Sequence, residues 1–208
     1  MTILLSDPRV AAVPVHDDGE PLVALDPAFG PPRALVREGV ALRLAAARDR
    51  LPAGVALRVL EGHRPVEAQR AIIARYSAQV AADRPGLGAA ELARLTSRFV
   101  APVAVAPHVA GSAVDLTLVD DRGQELDMGT PVDATPEQSG GRCFTAARDI
   151  SAAARAHRAL LGEVLGPAGL VNYPTEWWHW SWGDRYWALL TGADAALHGP
   201  VDLAGVAA

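Results

Sequence analysis

Four ionisable residues in the second half of the chain constrain it most: His108 and Asp115, then Glu176 and His179. Two imidazoles and one carboxylate form a ligand set that leaves one position of a tetrahedral zinc ion open for water, as catalytic zinc sites require. The remaining carboxylate, Glu176, supplies the general base that such a water needs. These residues predict a zinc hydrolase and favour a zinc peptidase.

The same region also fits a packed aromatic core, because all five tryptophans fall between Trp177 and Trp187 and aromatic clusters are usually buried. A purely apolar core would bury Glu176 and His179 at a cost of several kcal/mol each unless they were paired. The spacing His-x₆-Asp is a weak signal by itself. The residues alone therefore leave a metal site and an aromatic core as alternatives. A further hypothesis is that the tryptophans wall a small, dry pocket.

The composition fits a single domain over residues 1–208, long enough to bury a core without disulfides. The net charge is −5 and no run of Lys and Arg alternates with aromatic residues, so neither nucleic acid nor a membrane surface is an expected partner. No segment approaches the ~20 apolar residues of a membrane span, and the first residues lack the pattern of a secretion signal. The only cysteine, Cys143, is expected to be a loop or buried thiol. We therefore expect a cytoplasmic protein.

Hydrophobic periodicity predicts an α+β fold with a small sheet that holds the site. Helices are predicted over residues 33–50, 66–82, 89–98, 151–165 and 184–190. Strands are predicted over residues 55–60, 112–119 and around the tryptophans. Residues 128–142 are predicted to form a long loop of the kind that often covers or lines a binding site. Three histidines are expected at the surface or as satisfied core residues: His16, His157 and His198. We expect His157 to face outward together with its neighbours Arg155 and Arg158.

The predicted strand over residues 112–119 points its large apolar side chains to one face and Asp115 to the other. His108 comes from the preceding loop, which can turn its imidazole back towards the strand. Strict alternation would place Glu176 and His179 on opposite faces of the last strand. Either Glu176 precedes the strand proper, or a bulge reorients it, as often happens beside active sites.

In these residues the chain resembles the M15 family of zinc D,D-peptidases, and most of all its D-alanyl-D-alanine dipeptidase (VanX-type) branch. The family pattern is His-x-x-Gly-x-Ala-x-Asp followed by Glu-x-x-His, with an Arg-Pro after an earlier strand. This chain has all three parts in order, at His108–Asp115, Glu176–His179 and Arg64-Pro65. The resemblance covers about residues 55–187 and implies a hedgehog/D,D-peptidase-like fold, in which helices flank a small, mostly antiparallel central sheet.

The resemblance also implies a role for each residue. One zinc ion per chain would be bound by His108, Asp115 and His179. Glu176 would be the catalytic base, and Arg64 would stabilise the developing oxyanion. Asp133 would bind the free ammonium group of a small D-dipeptide substrate. From the residues alone, Arg64 also fits a solvated loop cation, and Asp133 also fits a helix or turn cap.

Two departures from the family pattern concern substrate contacts. Ala106-Pro107 stand where the dipeptidases carry serines before the first histidine, and Ala110 replaces an arginine. These changes bear on how the substrate carboxylate is held, and hence on how strict a D-Ala-D-Ala preference is. The metal ligands are unaffected.

The resemblance implies hydrolysis of the free-amine dipeptide D-alanyl-D-alanine by metal-activated water. One alternative is a D,D-carboxypeptidase or endopeptidase that acts on cell-wall peptides. Another is a non-catalytic zinc-binding module on the same fold, although a structural zinc needs neither Glu176 nor Arg64. The sequence leaves open the biological role and the oligomeric state.

Overall fold

The computed structural model describes residues 2–31 and 33–201. The helices in these ranges are α1 (Pro8–Ala12), α2 (Glu38–Arg48), α3 (Val66–Asp83), α4 (Ala89–Thr96), α5 (Pro136–Ser139), α6 (Ala152–Leu165) and α7 (Arg185–Thr191). The strands are β1 (Leu22–Ala24), β2 (Leu35–Arg37), β3 (Val55–Glu61), β4 (Ala113–Asp120), β5 (Val171–Asn172) and β6 (His179–Ser181). Short 3₁₀ turns lie at Pro27–Phe29 and Val103–Val105.

The central sheet has the strand order β3-β4-β6-β5, and each neighbouring pair is antiparallel. Strands β1 and β2 form a separate antiparallel pair. Helices lie around both sheets, so the predicted α+β fold with a small, mostly antiparallel central sheet is confirmed.

The main core lies on one face of the central sheet. Val114, Leu116 and Leu118 alternate along β4 and are fully buried there, together with side chains of α2 and α6. Burying a side chain of this size contributes roughly 1.5–3 kcal/mol. The opposite face of β4 is also covered, because Asp115 and Thr117 are buried as well. Strand β4 is therefore fixed from both sides, and Asp115 is held on the face away from the core.

Three element boundaries differ from the prediction. The helix predicted from residue 33 begins only at Glu38, because residues 35–37 form β2 and pair with β1. The predicted loop over residues 128–142 contains the single turn α5, which Thr135 and Gln138 cap reciprocally. The strand predicted around the tryptophans is limited to β6. In each case long-range pairing or side-chain capping, rather than periodicity, decides the boundary.

The prediction that Arg158 faces outward with His157 is wrong. Arg158 is buried and donates to the backbone carbonyls of Met128, Arg142 and Phe144. These carbonyls belong to the long loop region and need donors once they are buried. Arg158 therefore fixes both ends of this loop to α6, and His157 is half-buried against the carbonyl of Asp127.

Two chain-level features bear on the remaining predictions. Cys143 is fully buried, and this burial raises the pKa of its thiol, which agrees with an unreactive buried thiol rather than a nucleophile. Across residues 2–31 and 33–201, no helix combines the length and the apolar character that crossing a bilayer requires. The single domain over residues 1–208 and the cytoplasmic location stay predictions.

Candidate metal centre and active site

Three neighbouring strands place a row of ionisable side chains across the central sheet. Glu61 at the end of β3 is the register partner of Asp115 in β4, and Asp115 is the partner of His179 in β6. A register shift between Val59 and Glu61 lets Glu61 align with Asp115. Directly opposed residues in an antiparallel sheet have neighbouring side chains on the same face. Sheet pairing therefore brings Asp115 and His179 together although they are distant in the sequence.

His108 completes a tight group of three donor atoms. Its Nε2 lies 3.1 Å from Nδ1 of His179 and 3.3 Å from Oδ1 of Asp115, and the last two atoms are 3.0 Å apart. A tetrahedral zinc ion with ligand distances near 2.0–2.1 Å needs donor atoms separated by about 3.3 Å. All three side chains are buried. The donor set and its spacing therefore fit a zinc ion.

The second ring nitrogen of His108 explains how its imidazole is oriented. Nδ1 lies 2.8 Å from the carbonyl oxygen of Gly62, so it carries the proton and donates it. Nε2 then keeps its lone pair for a metal, which is the usual backbone support for a metal-ligating histidine. Gly62 is required here, since a Cβ at this position would collide with the carbonyl oxygen of Leu35.

Glu176 lies before β6 in a turn, which decides between the two alternatives left open by strand alternation. The backbone N–H of His179 donates to the Glu176 carbonyl, and Oε2 of Glu176 lies 3.9 Å from Nδ1 of His179. Burial, and then the nearby carboxylates of Asp115 and Asp133, raise the pKa of Glu176 well above its usual value. A buried carboxyl group beside the donor trio, with a raised affinity for protons, is suited to general acid–base chemistry.

The three side chains of the donor trio change one another's pKa values. Burial alone would raise the pKa of Asp115, but the two imidazoles outweigh it and lower that pKa. Burial lowers the pKa of His179, whereas for His108 the contact with Asp115 outweighs burial and raises the pKa. Asp115 is therefore held as a carboxylate, the form that binds metal.

Arg64 is half-buried between β3 and α3 and is held by two side chains. Its Nε donates to Oε1 of Glu61 at 2.8 Å, a second guanidinium nitrogen pairs with the other Glu61 oxygen, and Nη1 donates to Oε1 of Gln69 at 2.7 Å. Gln69 is buried and donates in turn to the Ala101 carbonyl. The alternative of a solvated loop cation does not describe this arrangement.

Glu61 and Gln69 are site residues that the sequence did not predict. Two signals could have found them: Glu61 directly follows a predicted strand and lies three residues before Arg64, and Gln69 lies five residues after Arg64 on a predicted helix. Neither signal indicates a shared partner until β3 and α3 are placed in the fold.

Asp133 lies in the loop between β4 and α5, with a backbone φ of 62°. Positive φ is uncommon for a residue other than glycine. The residue is exposed, and the N-cap of α5 is Thr135 rather than Asp133. Partial burial of the carboxyl group, and then Asp115 and Glu61, raise the pKa of Asp133 to about 6.

All six predicted site residues line one cavity of about 550 Å³. They are Arg64, His108, Asp115, Asp133, Glu176 and His179. The hypothesis that the tryptophans wall this cavity is wrong for most of them. Among the residues that the structure describes, Trp178 is the one tryptophan in its lining, while Trp177, Trp180 and Trp182 pack into the main core. Most of the aromatic cluster therefore belongs to the main core, and the candidate metal site lies on the other face of the sheet.

A buried trio of metal-binding atoms, a separate carboxyl group and a guanidinium in one cavity define a metal-dependent hydrolase site. Comparison with known proteins agrees with this class. Residues 29–192 match the family model Peptidase_M15, described as D-ala-D-ala dipeptidase.

The relatives carry related names. A D-alanyl-D-alanine dipeptidase of Synechocystis sp. is 28% identical over 85% of this chain and 87% of its own length. A D-alanyl-D-alanine dipeptidase of Escherichia coli (strain K12) is 38% identical over 35% of each chain. Among solved structures, VanYB in complex with D-alanine-D-alanine is 17% identical, with a TM-score of 0.49 over 92% of this chain and 96% of VanYB.

The chain belongs to the M15 peptidase family, because the family model spans most of its length. It is a metallopeptidase with D,D-peptidase relatives, and its His-Asp-His set suits the zinc ion on which this family depends.

Proposed function

We propose that this chain hydrolyses the free dipeptide D-alanyl-D-alanine, with one zinc ion bound by His108, Asp115 and His179. The observation that carries the proposal is the spacing of the three donor atoms, 3.0–3.3 Å, in a cavity that also contains Glu176. The names of the curated relatives support the choice of substrate.

Zinc at this site would lower the pKa of a bound water to roughly 7 and polarise the peptide carbonyl. Glu176 takes up the proton of the attacking water and returns it to the amine of the departing alanine. The raised pKa of Glu176 supports its role as a base, because a carboxylate with a higher affinity for protons takes up the proton of the water more readily.

Arg64 stabilises the negative charge that develops on the peptide oxygen. Glu61 and Gln69 occupy only part of its five N–H donors, so the guanidinium keeps donors for a substrate while its orientation is fixed. Such preorganised donors are effective because they need little rearrangement during the reaction.

Asp133 pairs with the substrate ammonium group and thereby selects peptides with a free amino end. Because the residue is exposed before substrate binds, the pair is worth less than a fully buried one. The expected contribution is that of a hydrogen bond to a charged group, about 1.5–3 kcal/mol.

Replacing Arg64 with alanine should lower kcat by about 10²–10³, the usual scale for one oxyanion donor. Zinc content, measured by mass spectrometry, should not change. Arg70→Ala is a matched control, because Arg70 is exposed on α3 and pairs only with Glu67 in the described structure. An increase in KM with normal kcat would instead make Arg64 a ground-state binding residue.

The Asp133→Asn variant should lose about 10- to 100-fold in kcat/KM on D-Ala-D-Ala, because the amide cannot neutralise the substrate ammonium. The same variant should treat free and N-acetylated D-Ala-D-Ala more equally than the parent does. Asp149→Asn changes an exposed aspartate outside the cavity and serves as the control. Equal cleavage of the two substrates by the parent enzyme would reject the dipeptidase assignment.

A D,D-carboxypeptidase is the second candidate, and the size of the cavity favours it. The lining continues along α3 through Ile72, Tyr76 and Gln79, past the donor trio. A volume of about 550 Å³ falls within the roughly 300–1,000 Å³ typical of sites for larger ligands. The cavity therefore has room for a peptide longer than two alanines.

One assay separates these functions. The zinc-loaded protein is incubated with D-Ala-D-Ala and, in parallel, with a pentapeptide that ends in D-Ala-D-Ala. Preferential cleavage of the dipeptide supports the proposal, preferential release of alanine from the pentapeptide supports the carboxypeptidase, and no cleavage of either with zinc bound supports a non-catalytic module.

A further inference from the structure

A second group of metal-binding side chains lies outside the catalytic cavity. The ligand atoms of Asp18, Glu20 and His198 all lie within 4.8 Å of one another. His198 is 2% exposed, and its Nε2 is buried with no hydrogen-bond partner among the residues that the structure describes. That atom lies 3.4 Å from Oε2 of Glu20. A buried, unpartnered imidazole nitrogen directed at a carboxylate needs an explanation.

The other nitrogen of His198 shows how Nε2 becomes available as a ligand. Nδ1 lies 2.8 Å from Oγ of Ser112. If Nδ1 donates its proton to this hydroxyl, Nε2 presents a lone pair to the two carboxylates. Burial, and then the charge of Arg37, lower the pKa of His198, so the imidazole is neutral at neutral pH, as metal binding requires.

The backbone holds the three residues in place although they come from distant parts of the chain. The N–H of Asp18 donates to the Leu197 carbonyl at 3.0 Å, and the N–H groups of Leu197 and His198 both donate to the Gly183 carbonyl. Glu20 is fixed by the N–H of Gly39, which donates to its Oε2 at 2.8 Å. Backbone hydrogen bonds therefore hold the three residues of the cluster in position relative to one another.

The local charge also favours a cation. Arg37 lies beside the cluster, but its guanidinium pairs with Asp17 at 3.0 Å and donates to the carbonyls of Glu20 and Gly199. Asp17 offsets the charge of Arg37, and a second guanidinium, Arg43, lies close enough to Glu20 for their charges to interact. The three carboxylates of Asp17, Asp18 and Glu20 still outnumber these two guanidinium groups beside a neutral imidazole.

We propose that Asp18, Glu20 and His198 bind a second divalent metal ion of the zinc class, separate from the ion in the catalytic cavity. One imidazole and two carboxylates suit zinc or a neighbouring transition metal better than calcium, which prefers oxygen ligands alone. The separation of up to 4.8 Å is wider than the about 3.3 Å of a tetrahedral site. Asp18 is exposed, so its side chain can close this gap.

Such an ion would join two segments that are distant in sequence. It would connect residues 18–20 to residue 198 and, through Ser112, to the strand that carries Asp115. Its function would be structural, since the site lies outside the cavity lined by the catalytic residues.

Equilibrium dialysis against zinc, followed by mass spectrometry, tests the proposal. The parent protein should bind two zinc ions per chain, and His198→Gln should bind one. His16→Gln is the matched control, because His16 is exposed and lies two residues from Asp18. His179→Ala should keep one zinc ion. The double variant, in which His179→Ala and His198→Gln are combined, should bind none. Zinc should raise the melting temperature of His179→Ala but not that of the double variant.

The Asp18→Asn variant is a second test of the site that does not depend on whether His198→Gln folds. Its side-chain oxygen can still accept from the Glu20 N–H, as Oδ1 of Asp18 does, but the lost charge should weaken zinc binding at least about 10-fold. A parent that binds a single zinc ion, or a His198→Gln variant that still binds two, would overturn the proposal. Displacement of the second zinc by millimolar calcium would overturn the assigned metal class.

Discussion

Replacing Glu176 with glutamine is expected to lower turnover of D-Ala-D-Ala by about 10²–10⁴, the usual contribution of a general base. Glutamine keeps the shape of the side chain but cannot take up the proton of the attacking water. Zinc content should stay at the parental level, because Glu176 is outside the donor trio. Steady-state kinetics at neutral pH, together with metal analysis of the same samples, would measure both effects.

One control for this variant follows from the direction in which folding shifts the pKa of Glu176. Folding raises the pKa of Glu176, so metal-free protein loses stability as pH rises above the ordinary pKa of about 4.5. Glu176→Gln removes that penalty, and its melting temperature at neutral pH should not fall below that of the parent. Glu163→Gln, an exposed change on α6, should leave turnover unchanged. Near-normal turnover of Glu176→Gln would assign the proton transfer to another group.

The second large effect is expected for His179→Ala, which removes one of the three zinc ligands. Loss of an outer hydrogen-bond partner of a metal ligand costs about 10- to 100-fold in affinity, and loss of the ligand itself should cost more. Zinc should leave the catalytic cavity, and turnover should fall to the background rate. Competition with a chromophoric chelator would measure the affinity.

His157→Ala is the matched control, because His157 is a partly exposed histidine on α6 that contacts only the Asp127 carbonyl among the described hydrogen bonds. Circular dichroism would show whether His179→Ala keeps the parental fold. Full activity in a His179→Ala variant would remove this residue from the site.

Sequence periodicity predicted the elements that depend on neighbouring residues. Helices α3 and α6 and strands β3 and β4 are found within one or two residues of their predicted bounds. Strand alternation also correctly placed Asp115 on the face away from Leu116. These features follow from local spacing, so the sequence contains enough information to predict them.

Features that depend on tertiary partners could not be predicted in this way. Residues 35–37 leave the helical pattern because β1 is available to pair with them. Arg158 is buried because distant loop carbonyls need its donors. The support of Arg64 by Glu61 and Gln69 depends on how β3 meets α3. The roles of the six site residues were suggested by family resemblance, and they stay proposals.

The row of Glu61, Asp115 and His179 across three strands has a consequence for folding kinetics. His179 is 64 positions from Asp115 and 71 from His108, so closing the trio requires long-range chain closure, which is slow. A slip of β4 by one residue would move Asp115 to the other face and destroy the site. Nascent or unfolded chains therefore lack this chelating geometry. In a refolding experiment, zinc capture should lag behind helix formation and mark the moment at which β4 and β6 reach their native alignment.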